Sequence, residues 1–379
     1  MQKNSLRVYL CDLTHDTIIL VSDTIPINIG FIGSGKIAGH HFLSIKKYKN
    51  LRLKAVSDFN LEKISKHNFP SYVKKYDHYE KMLANEDLDL VVLMTPSGMH
   101  YEHTKKILQR YNVNIIVEKP ICLRTSQVIE LYSLARKKKL NIFPVYQNRY
   151  NKCVKFFKKK KTLDQLGKIR LVSVQVRWCR PQRYYDLADW RGTFSHDGGA
   201  LTNQGIHHLD VLRYVCGEIT KVNTSMRTLG ANIEVEDTVV STIEFKNGAV
   251  GTLEITTAAR PKDFNATISI VGSKGLAQIG GIALNELQIF TPNESECNKN
   301  SEYIPNAYGF GHFSFYKDIS KFFSQKKKFP VTYKDCLNTI NLLNAFYISD
   351  EINKSYKIKG FKNSKRLGKK NEKISKNYK

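Results

Sequence analysis

The sequence has no apolar run approaching the roughly 20 residues that a membrane span needs, which sets aside a helical membrane protein. Near the start, Asp12, Asp16 and Asp23 interrupt the one hydrophobic segment, so a cytoplasmic location is expected rather than secretion. The seven cysteines include no C-x-x-C pair, and no histidine stands at metal-ligand spacing. Neither a disulfide framework nor a structural metal is expected. Internal repeats are absent. Acidic residues are scarce, 34 against 60 basic ones, for a formal charge of +26. Much of the excess lies in lysine runs at Lys158 to Lys161, Lys326 to Lys328 and Lys354 to Lys379. These runs have no interleaved aromatics and match no nucleic-acid module, so they read as solvated surface that also attracts a small anion. Neither nucleic acid nor membrane is an expected partner.

What is present is a core-forming composition, 41% hydrophobic over 379 residues, enough for two domains. From Ile27 to about residue 148, short apolar strands alternate with helical segments, which predicts an α/β domain with a doubly wound parallel sheet. From 149 to 354 the pattern changes. A strand over 168–179 and a helix over 201–216 precede strands at 236–246, 249–258, 265–271, 275–279 and 286–290, and helices over 311–325 and 333–354 follow. That order predicts an α+β domain on a large, mostly antiparallel sheet, for substrate binding and oligomerisation. Hydrophobic strands such as 249–258 would leave an apolar sheet face, so a homodimer or homotetramer is expected. Residues 1–26 precede the first complete unit without an assigned role, and the lysine-rich 355–379 reads as a disordered tail.

The chemistry-bearing residues fall at predicted strand ends. Gly33-Ser34-Gly35-Lys36-Ile37-Ala38 lies between a strand and a helix, with glycines for the tight turn and the close approach of a pyrophosphate, and a small alanine for helix packing. Asp58 ends the next strand, where a carboxylate accepts hydrogen bonds from an adenosine ribose and repels a 2′-phosphate; NAD is expected over NADP. Thr95, Pro96 and His100, then Glu118 and Gln147, are further cofactor contacts on the same sheet edge, with helix capping as the alternative for His100. The apolar run Ile115 to Val117 ends in Glu118-Lys119-Pro120, which aims the Lys119 ammonium from a strand end. In Gly198-Gly-Ala-Leu-Thr-Asn-Gln-Gly-Ile-His207-His-Leu-Asp210, Asn203 and His207 share a helix face and Asp210 is placed to orient the imidazole.

The order of the glycine fingerprint, T-P-S-G-M-H, E-K-P and G-I-H-H-L-D resembles the Gfo/Idh/MocA oxidoreductases over about residues 27–352. The resemblance implies that Lys119 and His207 stand beside a nicotinamide ring, with Asn203 where many members have aspartate. Within the family, W-R-G-T (190–193), D-G-G-A-L-T-N-Q-G-I-H and Y-G-F-G-H (308–312) are similar to UDP-N-acetylglucosaminuronate 3-dehydrogenases of surface-polysaccharide pathways. That narrower resemblance implies an NAD-dependent enzyme oxidising a UDP-sugar acid. His207 is then the general base and Lys119 positions the hydroxyl, or the reverse. Arg180, Tyr185, Trp190, Arg191 and His312 complete the expected substrate contacts. A ketosugar reductase, another sugar or polyol dehydrogenase, and a non-catalytic dinucleotide sensor are the alternatives.

Overall fold

A computed structural model describes residues 25–378; nearly all of the 1–26 leader lies outside the described residues. The first sheet contains β1 (Ile27–Ile32), β2 (Leu51–Ser57), β3 (Lys74–Tyr76), β4 (Leu90–Leu93), β5 (Asn114–Val117) and β6 (Ile142–Pro144). Their order is β3-β2-β1-β4-β5-β6, and every pairing is parallel. Central strands covered on both faces must be apolar throughout, and Leu90 to Leu93 and Ile115 to Val117 are all buried. Because β1 lies between β2 and β4, the strand order reverses there and opens a crevice at the carboxyl ends. Gly33, Thr95 and Lys119 follow β1, β4 and β5 and so stand side by side along it.

The second sheet contains β7 (Ile169–Arg177), β8 (Ile219–Arg227), β9 (Thr238–Phe245), β10 (Val250–Thr256), β11 (Asn265–Gly272), β12 (Leu276–Gly280), β13 (Glu286–Phe290) and β14 (Tyr356–Lys357). Its order is β13-β12-β11-β7-β10-β9-β8-β14, antiparallel except for the β7–β10 pair. Val172, Val174 and Val176 of β7, Leu253 and Ile255 of β10, and the inward residues of β9 are buried. The opposite face is largely polar. Ser173 bonds Thr252 at 2.8 Å, Arg177 bonds Glu254 at 2.6 Å, and Leu171, Val240 and Val250 are exposed among them. The expected apolar face is thus reduced to these scattered residues, because alternation directs most hydrophobic side chains inward.

Three local expectations change. The helix predicted over 201–216 is two helices, Gly199–Asn203 and Ile206–Cys216. They meet at Gly205, where a Cβ would lie 2.6 Å from Ile255 and 2.7 Å from the Leu201 carbonyl. Strand β8 was not anticipated, since only Ile219, Val222 and Met226 give it an apolar side. The lysine-rich tail is folded, not disordered. Its β14 extends the sheet beside β8, Arg366 bonds Asp350 at 2.6 Å, and Ser364 and Leu367 are fully buried. A few anchors fix the tail while the lysines remain in water, which composition alone does not reveal.

The turn into Gly199–Asn203 uses two glycines at positive φ, Gly198 (+78°) and Gly199 (+76°). A Cβ at Gly199 would lie 2.3 Å from the Glu236 carboxylate. Glu236 is buried, accepts from Leu201 N (3.1 Å) and Tyr347 Oη (2.7 Å), and burial pushes its pKa up to about 8. The folded state thus keeps a proton that the unfolded chain releases near 4.5. Stability from this group is complete below that lower pKa and is lost as pH rises through about 8. Melting temperature is expected to fall between pH 5 and 8, and Glu236→Gln, measured by thermal unfolding across that range, is expected to flatten the fall.

Candidate active site

The crevice between the two domains is a cavity of about 690 Å³. Its dinucleotide half is built from the glycine turn. Gly33 has φ +94°, and a Cβ there would lie 2.9 Å from the Met94 carbonyl, so no other residue fits. At Gly35, the N-cap of helix Lys36–Ile45, a Cβ would meet nothing within 4 Å, and no side chain caps the helix. Open space before free N–H groups suits a pyrophosphate. Lys36 and Ile37 line the cavity, while Ala38 is fully buried beneath. Asp58 fixes the turn by accepting from Ser34 N (2.8 Å) and Asn60 N (3.0 Å), and it still faces the cavity.

Thr95 and Pro96 line the opposite wall. His100 borders it too, but both ring nitrogens are engaged, with the carbonyls of Thr95 (2.9 Å) and Pro120 (2.7 Å). The ring thereby ties two strand ends together at the cavity wall. Glu118 is similarly committed to protein: its carboxylate meets His41 Nε2 at 2.9 Å and His312 Nε2 at 3.4 Å, and accepts from Lys119 N at 3.0 Å. Tyr316 Oη closes the chain at His41 Nδ1 (2.8 Å). His41, Glu118 and His312 place three ligand-type atoms within 4.8 Å of one another, a grouping that sequence spacing did not indicate. The hydrogen bonds already account for it. Those bonds hold Glu118 ionised, well below the usual carboxylate range despite burial.

At the floor, Lys119 Nζ donates to the Asn203 carbonyl at 2.8 Å, joining the two domains. Burial lowers the lysine pKa, while Glu118 and Asp197 raise it. His207 is not oriented by Asp210. That carboxylate instead forms a two-pronged ion pair with Arg149, both contacts 2.6 Å. The partner of His207 is Gln147, whose amide N–H donates to Nε2 at 3.1 Å. Nε2 therefore carries the lone pair. Burial and then the Lys119 charge hold the His207 pKa well below its ordinary value, so the ring is neutral near pH 7. Gln147 Oε1 and His207 Nδ1 are buried without protein partners, as expected where a ligand completes the set.

One functional residue escaped the sequence reading. Asp197 accepts from Gly192 N at 2.8 Å and from the Asn203 amide, and burial raises its pKa. It restores, one bond further back, the carboxylate that Asn203 lacks. The signal was an acid directly before Gly198-Gly199.

The outer half of the cavity is basic and aromatic. Arg180 packs 5.3 Å from Trp178 and pairs with Asp263 at 2.9 Å. Arg191 lies between Tyr184 (4.4 Å) and Trp190 (4.6 Å). Tyr185 does not line this cavity: adjacent residues of the Gln182–Tyr185 helix face different ways, and Tyr185 is buried with its hydroxyl on Thr257 at 2.9 Å. Its neighbour Tyr184 takes the predicted place.

A glycine turn at a strand-order reversal, a ribose-directed aspartate and a lysine–histidine pair at the floor define an NAD-dependent oxidoreductase acting on CH–OH groups. Residues 27–146 match the oxidoreductase family's NAD-binding Rossmann fold, and 159–278 match the GFO/IDH/MocA C-terminal domain. The chain belongs to the Gfo/Idh/MocA family. Its fold is similar to the WlbA dehydrogenase from Chromobacterium violaceum, solved with NADH and UDP-GlcNAcA (TM-score 0.81, 30% identity, 88% of this chain and 96% of that one). The WlbA dehydrogenase from Bordetella pertussis, solved with the same two ligands, gives a TM-score of 0.83 at 28% identity, over 88% and 98%. In sequence, the chain is 28% identical to Escherichia coli D-glucoside 3-dehydrogenase, over 72% of this chain and 80% of that protein.

Asp197→Asn tests the missed residue. Without its charge the Lys119 pKa falls further, so the alkaline limb of kcat/KM is expected to move to lower pH. A lower kcat with unchanged NADH affinity by fluorescence titration is expected alongside.

Proposed function

We propose that this protein oxidises the 3-hydroxyl of a UDP-N-acetyl-hexuronic acid, in the biosynthesis of a surface-polysaccharide sugar. The observation that carries the reading is the union of a Lys119–Asn203–Asp197 chain and a neutral His207 at the floor with Arg180 and Arg191 at the mouth. The floor suits an alcohol. The mouth suits a substrate carrying carboxylate and diphosphate charge, since guanidinium forks pair with both. The two WlbA structures, with UDP-GlcNAcA bound, support this substrate, and the D-glucoside 3-dehydrogenase supports the carbon oxidised.

Bound NAD supplies the hydride acceptor. His207 Nε2, released by Gln147, takes the hydroxyl proton as the carbon–hydrogen bond breaks. The Lys119 ammonium donates to the same oxygen and offsets its developing charge. Asn203 holds the ammonium in line, and Asp197 steadies Asn203. Trp178, Tyr184 and Trp190 give the sugar ring apolar faces to pack on. A cytoplasmic location belongs to this reading, as does a dimer or tetramer through the outer sheet face bearing Leu171, Val240 and Val250.

Adding UDP-N-acetylglucosaminuronate to the NAD-loaded protein is expected to raise near-ultraviolet NADH absorbance, and Lys119→Ala to abolish the rise. No rise with NAD retained would remove this substrate and leave another sugar of the family. The pH profile of kcat/KM is expected to be bell-shaped. Activity should rise with pH through an apparent pKa below 6.5, as His207 loses its proton, and fall as Lys119 deprotonates below 10.5. His207→Asn should cost roughly 10²–10⁴-fold in kcat and remove the acid limb.

A further inference from the structure

We propose that the C-terminal segment from Asn371 to Tyr378 is a working part of the cofactor site: a clasp that covers the adenosine end of the dinucleotide and swings away for it to enter or leave. The position of that end follows from the glycine turn. With the pyrophosphate before Gly35 and the ribose on Asp58, the adenosine lies beyond Asp58, beside Phe59. Tyr378 lines the cavity at this place, its ring edge-on to Phe59 with centroids 5.7 Å apart.

The segment is tied to both walls. On the dinucleotide side, the Tyr378 carbonyl accepts from His103 Nε2 at 2.8 Å, and His103 Nδ1 meets Thr95 Oγ1 at 3.1 Å. On the other side, Tyr378 Oη and Asn377 Nδ2 donate to the two oxygens of Asp189 at 2.5 and 2.7 Å. Ser375 Oγ meets His196 Nε2 at 3.2 Å. It therefore bridges the cleft from one domain to the other, and both matched family domains end well before it.

The attachment is also of a kind that opens. Helix Glu372–Ser375 has one turn, and a buried Ser375 is its main anchor, whereas Leu367 and Ser364 are fully buried just upstream. Polar ties on a single-turn segment come apart at far lower cost than the core, so the hinge falls at Gly368, which has φ +68°. A cover over a bound ligand slows arrival and departure alike.

The test needs NADH alone, so its outcome is separate from that of the proposed sugar substrate. Stopped-flow fluorescence measures NADH association and release for the full chain, for a chain ending at Gly368, and for Tyr378→Ala, which keeps the fold if the truncation does not. Both rates are expected to rise about tenfold or more in the truncated chain and several-fold in Tyr378→Ala. If either rate stays within twofold of the full chain in both variants, the clasp is overturned.

Discussion

The structure turns on keeping an ammonium charged where it is buried. Burial drives Lys119 toward its neutral form, and a neutral lysine would lose its worth as a donor to a developing oxyanion. Two carboxylates oppose this, one from each domain. Glu118 adjoins the lysine in sequence and Asp197 reaches it through Asn203. A buried carboxylate needs support of its own. Glu118 has His41, His312 and a backbone N–H; Asp197 has Gly192 N and the Asn203 amide. The glycines at 192, 198 and 199, all at positive φ, follow from this, because the chain must bend sharply around Asp197 to present it.

Much of this was legible in the residues, and the limits are instructive. Strand ends in a parallel sheet announce themselves, since an apolar run that stops in Glu-Lys-Pro or Gly-Ser-Gly has few other uses; Gly33, Asp58, Thr95, Lys119 and His207 all border the cavity. What spacing did not reveal were contacts between distant segments. Asp210 sits at helical distance from His207, yet a guanidinium 61 residues away claims it. Tyr185 and Tyr184 are equivalent on paper, and only the packing against Thr257 separates them. The tail is the sharpest case. Twenty-five residues rich in lysine look disordered by composition, but buried Leu367 and Ser364, with β14 and the Arg366–Asp350 pair, hold the described part in place.

The Asp210–Arg149 pair acts on the active site by another route. Arg149 is two residues beyond Gln147, and Asp210 three beyond His207. Their paired bonds, with Thr339 on Asp210 at 3.0 Å and Asp335 on Arg149 at 3.1 Å, lock the two segments together. The distance from Gln147 to His207 Nε2 is thereby fixed from behind. A fully bonded buried network of this kind defines one geometry even where its net contribution to stability is small.

Lysine and histidine then set each other's state. The Lys119 charge is the largest influence after burial holding the His207 pKa down, so the ring stands ready to accept a proton rather than already carrying one. The neutral ring in turn adds no charge that would push Lys119 toward deprotonation. Burial lowers both pKa values, yet the lysine's stays above the histidine's, and between the two the lysine is the donor and the ring the acceptor. The division holds over the pH interval between the two pKa values, and it depends on Glu118 and Asp197 keeping the ammonium charged. In the proposed mechanism Lys119 polarises and His207 accepts, with Glu118 and Asp197 holding the ammonium charged.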